Sequence, residues 1–182
     1  AAAEDFDNFI YTIPAGCADP NVPTITATQP ICAGSSTTLN ISGTLNDATN
    51  WHIYTGSCGI TQIGTTSGTT FVVSPTSTTS YFIRGEGGCV TPGTCGAITI
   101  NVNALDNASF NYSAASYCSS ASDPTPTISG VAGGTFSSGA GLSINAATGT
   151  LDVSASTLGT YTVTYTTSGS CPNSSGVSVT IG

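Results

Sequence analysis

A chain of 182 residues with only 5% charged side chains lies far below the usual quarter, yet 38% of it is hydrophobic, the content of a folded protein. Nine Asp and Glu face a single Arg84 and no lysine, for a formal net charge of −8. That balance excludes nucleic acid and insertion into anionic membranes, since neutralising phosphate needs Lys and Arg, and the missing lysine excludes lysine–asparagine cross-links.

The chain opens Ala1-Ala2-Ala3-Glu4-Asp5, which reads as a mature N-terminus left by cleavage of a leader. No apolar stretch is long enough to span a membrane as a helix, so an extracellular, secreted or cell-surface protein is expected. Next comes Phe9-Ile-Tyr11-Thr12 with Cys17 eight residues after Phe9, matched later by Phe110-Asn-Tyr112-Ser113 with Cys118 eight residues after Phe110. Each copy leads into Asp-Pro and then Pro-Thr-Ile: Asp19-Pro20 and Pro23-Thr24-Ile25, against Asp123-Pro124 and Pro126-Thr127-Ile128. An opening strand is therefore duplicated. One reading is common ancestry of two tandem domains. The sharper reading makes residues 4–15 a detached strand, with Phe6, Phe9, Tyr11 and Ile13, that adds to a sheet edge of another subunit. Residues 1–21 are accordingly set apart as an extended N-terminal segment.

From residue 22 to 103, hydrophobicity alternates with period two between turn signals, the pattern of a sandwich or barrel. Strands are predicted at Thr24–Thr28, Thr37–Ile41, Asn50–Tyr54, Thr61–Ile63, Thr70–Val73, Tyr81–Arg84 and Ala97–Val102. In the third, Trp51 and Ile53 share one face while His52 and Tyr54 share the other. Seven short strands are the immunoglobulin-like number, and Trp51 stands where that fold keeps its core tryptophan. Residues 104–182 form a second block. There Tyr161, Val163 and Tyr165 alternate with threonines in Gly159–Thr167, and Val177, Val179 and Ile181 mark a closing strand. Leu142–Ile144 and Leu151–Val153 flank a turn and predict a hairpin, while Pro124 and Pro126 suit an edge. The expected fold is all-β: two tandem immunoglobulin-like β-sandwich domains, an extended N-terminal strand, and disulfide staples.

Seven cysteines without a C-x-x-C pair, beside one histidine, point to disulfides in an oxidising compartment rather than to metal. Cys118 and Cys171 are alone in the second block and are expected to pair. Cys32, Cys58, Cys89 and Cys95 allow three connectivities. A meander that puts Cys32 and Cys58 at one end of the sandwich, and Cys89 and Cys95 at the other, favours Cys32–Cys58 with Cys89–Cys95. Cys17 is left over, for an intermolecular bridge, a free thiol or burial as a small apolar residue.

Catalysis needs a base, a nucleophile and charge stabilisers within reach. The one histidine, His52, lies on a sheet strand, no G-x-S-x-G elbow occurs, and the glycine-rich stretches precede no helix. No enzyme and no resident cofactor are expected. Calcium is the one metal that the acids Asp47, Asp106, Asp123 and Asp152 suit, although no D-x-D-x-D-G loop is present. Glycan binding would call on Trp51, Tyr54 or Tyr117, aromatics that at strand spacing are more often core.

The stretches Ile31-Cys32-Ala-Gly, TLNISG, WHIYTGSCG, FVVSPTSTTSYFIRGEGGC and CGAITINV resemble the Ig-like repeats of large Bacteroidetes-type secreted surface proteins. The second block, with SYC, DPTPTISG, GGTFSSGAGLSINAATGTLDVSAS and GTYTVTYTTSGSC, resembles repeats of the gliding-motility surface adhesins of the same bacteria. The likeness implies attachment rather than catalysis, in modules exported by the type IX system, and it offers no catalytic residue to carry over. Giant adhesins hold many repeats and a C-terminal sorting domain, whereas these residues end on a closing strand. The expected function is a non-catalytic structural subunit of an extracellular filament or surface fibre, its partners being copies of itself. A glycan- or protein-binding adhesin module is the alternative.

Overall fold

The structure, a computed structural model, describes residues 16–182, and every regular element among them is a strand. In chain order these are β1 (Thr24–Thr26), β2 (Ile31–Cys32), β3 (Thr37–Ser42), β4 (Asn50–Thr55), β5 (Thr61–Thr66), β6 (Thr70–Val73), β7 (Thr79–Glu86), β8 (Gly96–Ile100) and β9 (Val102–Asn103). There follow β10 (Phe110–Asn111), β11 (Ser116–Tyr117), β12 (Thr127–Ile128), β13 (Thr135–Ser138), β14 (Ser143–Ile144), β15 (Leu151–Asp152), β16 (Gly159–Thr166) and β17 (Ser174–Ile181). They gather into two compact units. Of the described residues, the first takes 16–28, then Thr37–Val73 and Thr79–Ile100; the second takes Gln29–Ser36, Ser74–Thr78 and Asn101–Gly182.

The first unit is a sandwich of the sheets β1-β3-β6 and β5-β4-β7-β8, every pairing antiparallel. Its seven strands are the seven expected from the alternation. On β4 the odd residues face inward: Trp51 lies opposite Gly85 and Ile53 opposite Ile83, and both are buried. Leu39, Ile53, Ile83 and Ile100 have no exposed surface, each contributing about 1.5–3 kcal/mol relative to exposure. β1 lies hard against β8. The Pro23 carbonyl oxygen and the Ile25 side chain occupy the space a Cβ would need at Gly96, so only glycine allows this approach.

The second unit contains the sheet β11-β17-β16-β13 and the pairs β10-β12, β14-β15 and β2-β9. The long ladder β16–β17 runs from Gly159↔Ile181 to Thr166↔Ser174, with Val163, Tyr165, Val179 and Ile181 turned into the core. Rings fill the centre: Phe136 and Tyr165 have centroids 4.5 Å apart, and Phe110 meets Phe136 edge-on at 5.3 Å, contacts worth about 0.5–1.5 kcal/mol beyond area burial. The buried Tyr165 hydroxyl donates to the Val131 carbonyl (2.7 Å) and accepts from the Gly134 amide (2.9 Å). The expected hairpin closes as β14–β15. The Asn145 side chain accepts from the Ala147 and Thr148 amides in its turn, and Gly149 supplies the positive φ of 75°. The parallel pair β2–β9, with Ile31↔Val102 and Cys32↔Asn103, is an element the alternation did not predict.

Candidate functional site

The place where the N-terminal segment joins the first unit is built from turn residues. The Ala18 amide donates to Asp47 Oδ2 (2.8 Å), and the Asp47 amide returns a bond to the Ala18 carbonyl (3.2 Å). Asn46, in the left-handed region at φ 51°, donates from Nδ2 to the Asp19 carbonyl, and Asp19 Oδ1 accepts from the Thr91 amide (3.3 Å). Pro20 lies over Gly85, where a side chain would collide with its ring. Short polar side chains that bond nearby backbone thus tack Cys17–Asn21 onto the loops 43–49 and 87–95. A disulfide from Cys17 to Cys89 completes the clamp, with Cα atoms 5.8 Å apart. Asp47 lies close enough to these sulfurs for a metal-sized cluster, but bridged sulfurs supply no thiolate ligands. The predicted strand-addition residues Phe6, Phe9, Tyr11 and Ile13 lie outside the described residues.

The disulfides correct the expected pairing. Cys17 is bonded within the chain to Cys89 rather than left for an intermolecular bridge, Cys32 pairs with Cys171, and Cys58 with Cys95. Cys118, expected to be bridged, is the free cysteine among the described residues and is exposed. The reason is geometric. Cys171 precedes the start of β17, while Cys118 follows β11, which lies parallel to the far end of that strand with Tyr117 beside Ile181. Eight strand residues separate the two ends by roughly 25 Å, several times the Cα separation a disulfide tolerates. In the first unit β8 pairs with β7 only as far as Ile83, which lies opposite Gly96. The loop 87–95 is therefore long enough to carry Cys89 out to Cys17 while Cys95 stays at the strand beside Cys58.

The outer face of the β4–β7 pair gathers the polar chemistry of the first unit. The Arg84 guanidinium donates from Nε to Glu86 Oε1 (2.7 Å) and from Nη1 to the Gly93 carbonyl (3.4 Å). It also contacts Cys58 Sγ (3.7 Å) and lies 5.5 Å from the Tyr54 ring centre. The Tyr54 hydroxyl donates to the same Glu86 oxygen. His52 Nδ1 shares a hydrogen with Gln62 Oε1 (3.1 Å) and stands 3.9 Å from Glu86 Oε2. Partial burial pushes the Glu86 carboxyl up, but the Tyr54 hydroxyl and Arg84 guanidinium more than offset it, and the acid titrates below the ordinary carboxylate value. Burial, then the Glu86 carboxylate, raise the Tyr54 hydroxyl, and the bond to Glu86 raises Arg84 further. The His52 Nδ1 atom is engaged by Gln62 Oε1. The cluster is a cross-brace that holds the loop 87–95 and the Cys58–Cys95 bridge against the sheet.

The other sequence candidates serve the fold. Trp51 and Tyr54 are only 3% and 5% exposed, and Tyr117 packs on the second core while its hydroxyl accepts from the Ala114 amide (2.9 Å). Trp51 and Tyr54 present no open ring face, and Tyr117 is partly buried. Of the acids weighed for calcium, Asp106 Oδ2 accepts from Thr167 (2.9 Å), Asp123 Oδ1 from the Val153 amide (3.1 Å), and Asp152 Oδ1 from Ser154 and the Ala155 amide (2.9 Å each). Each carboxylate is committed to pinning a loop, and among the described residues no three of these acids share a site.

Seven antiparallel strands in two sheets around a buried tryptophan on β4 define an immunoglobulin-like sandwich, a fold that typically serves as a non-catalytic scaffold. Residues 20–103 match the family described as "Ig-like domain CHU_C associated". Such domains are associated with surface proteins, and together with three disulfides they point to an extracellular protein. Among curated proteins, none matches the chain.

Proposed function

We propose that this chain is a non-catalytic structural subunit of an extracellular bacterial filament or surface fibre, in which residues 4–15 of one copy add as a strand to a sheet edge of the next. The observation that carries the reading is the fate of the second copy of the duplicated motif. Phe110 and Tyr112 are buried in the second core, β10 pairs with β12 (Phe110↔Ile128), and the Tyr112 hydroxyl bonds the Gly149 carbonyl. A Phe-x-Tyr strand of this kind is thus a core-filling element. By the repeat, the partner of the first copy would be β1, with Phe9 opposite Ile25. In the first unit, however, β1 is pressed directly against β8 at Gly96, which leaves little room for such a strand in its own domain.

Open edges are available to receive it: β5 and β6 each end their sheet, and Ile60, Ile63 and Val72 are exposed beside them. The division into an arm (1–21) and domains at 22–103 and 104–182 goes with this reading. Electron microscopy of purified protein tests it. Full-length chains are expected to form fibres, and chains lacking residues 1–15 to remain monomers of unchanged melting temperature. Full-length protein that stays monomeric while binding a glycan or surface protein saturably would contradict the filament and favour the adhesin module.

A further inference from the structure

The disulfide topology supplies a mechanical property. We infer that the Cys32–Cys171 bridge is a load bypass: tension applied across the two ends of the chain runs through the N-terminal segment and β1 to Cys32, crosses to Cys171, and leaves along β17. That load exists in the cell only if the filament reading holds, but the bypass is a property of each chain.

The bridge joins residues 139 positions apart, with Cα atoms 5.4 Å from one another. Residues 33–170, which include β3 to β16, therefore hang in a closed covalent loop and need not unfold for the ends to be drawn taut. On the exit side, 11 links separate Cys171 from Gly182, and most of them already lie in the extended strand β17, which is held by β16 on one side and β11 on the other. A strand is close to its full contour length, so this side has little left to give. On the entry side, β1 is only three residues long and by itself would peel from β3. The Cys17–Cys89 bridge lies off the shortest covalent path and leaves its length unchanged, so the stretch from Cys17 to Cys32 is the part that gives before the path is taut. The Cys32–Cys171 bridge sets where the extension stops.

Pulling single full-length chains by their termini reads the covalent path directly. Oxidised chains have 31 links from Ala1 to Cys32 and 11 from Cys171 to Gly182, so their extension is expected to stop at about 150 Å, whereas reduced chains reach about 630 Å. A C58S/C95S chain is also expected to stop at about 150 Å. A C32S/C171S chain is expected to run to about 380 Å, limited by the Cys17–Cys89 bridge. The wild-type comparison with and without a thiol reductant decides the matter even where a variant fails to fold. Oxidised wild-type chains that extend to about 340 Å, the length set by bridges Cys32–Cys58, Cys89–Cys95 and Cys118–Cys171, would overturn the bypass. A failure to polymerise would contradict the filament and leave this length unchanged, so the two claims fail separately.

Discussion

Arg84 is the single Lys or Arg of the chain, and its surroundings decide how the first unit responds to acid. Its carboxylate partner Glu86 is held below the ordinary carboxylate range, so the pair contributes stability that is complete above the ordinary pKa of about 4.3 and is lost as pH falls through the lower folded value. The melting temperature is therefore expected to fall on acidification below about pH 4, and Glu86→Gln is expected to flatten that fall and lower stability at neutral pH. A melting profile of the variant as steep in acid as that of the wild type would contradict this role. Arg84→Ala removes bonds to Glu86 and Gly93 and uncovers the Cys58–Cys95 loop; a loss of about 1–3 kcal/mol in urea unfolding is expected. Gly96 tests packing in the same unit. Its missing Cβ makes room for the Pro23 carbonyl, so Gly96→Ala must move backbone and is expected to cost about 1–3 kcal/mol, with a lower urea midpoint.

At the scale of elements, the two copies of the Phe-x-Tyr motif make opposite predictions under the proposed assembly. Phe110 is buried among Tyr112, Phe136 and Tyr165, so Phe110→Ala is expected to cost about 3–5 kcal/mol in monomer unfolding. Phe9→Ala is expected to leave monomer stability within about 0.5 kcal/mol and to weaken assembly instead, seen as a higher critical concentration. The strands themselves were legible. Runs such as Leu39–Ser42 and Tyr161–Thr166 alternate apolar or aromatic with polar side chains, and the pleat sets the two kinds on opposite faces. β2 and β9 were not legible. Each is two residues long, and their parallel pairing joins positions some seventy residues apart that no local pattern links.

For the molecule as a whole, the cysteines show why a site can be harder to read than a fold. That the chain would be stapled followed from its composition, but the partners depend on where the loop 87–95 and the turn before β17 carry their sulfurs, which spacing does not encode. The consequence is measurable: Cys118 is expected to react with a maleimide in the native protein, one thiol per chain, and its label to map to the peptide after β11. The carboxylates follow the same logic. Asp47, Asp106, Asp123 and Asp152 read as calcium candidates in the sequence, and the structure spends each on hydrogen bonds that hold a loop.

The proposed assembly would have residues 4–15 supplied as a strand to a neighbour, and amide hydrogen exchange of that segment tests the proposal most directly. Strand addition predicts fast exchange at concentrations too low for fibres and strong protection within fibres, because the backbone amides acquire partners only across the subunit boundary. Equal protection in the dilute monomer, or fast exchange inside an intact fibre, would contradict it.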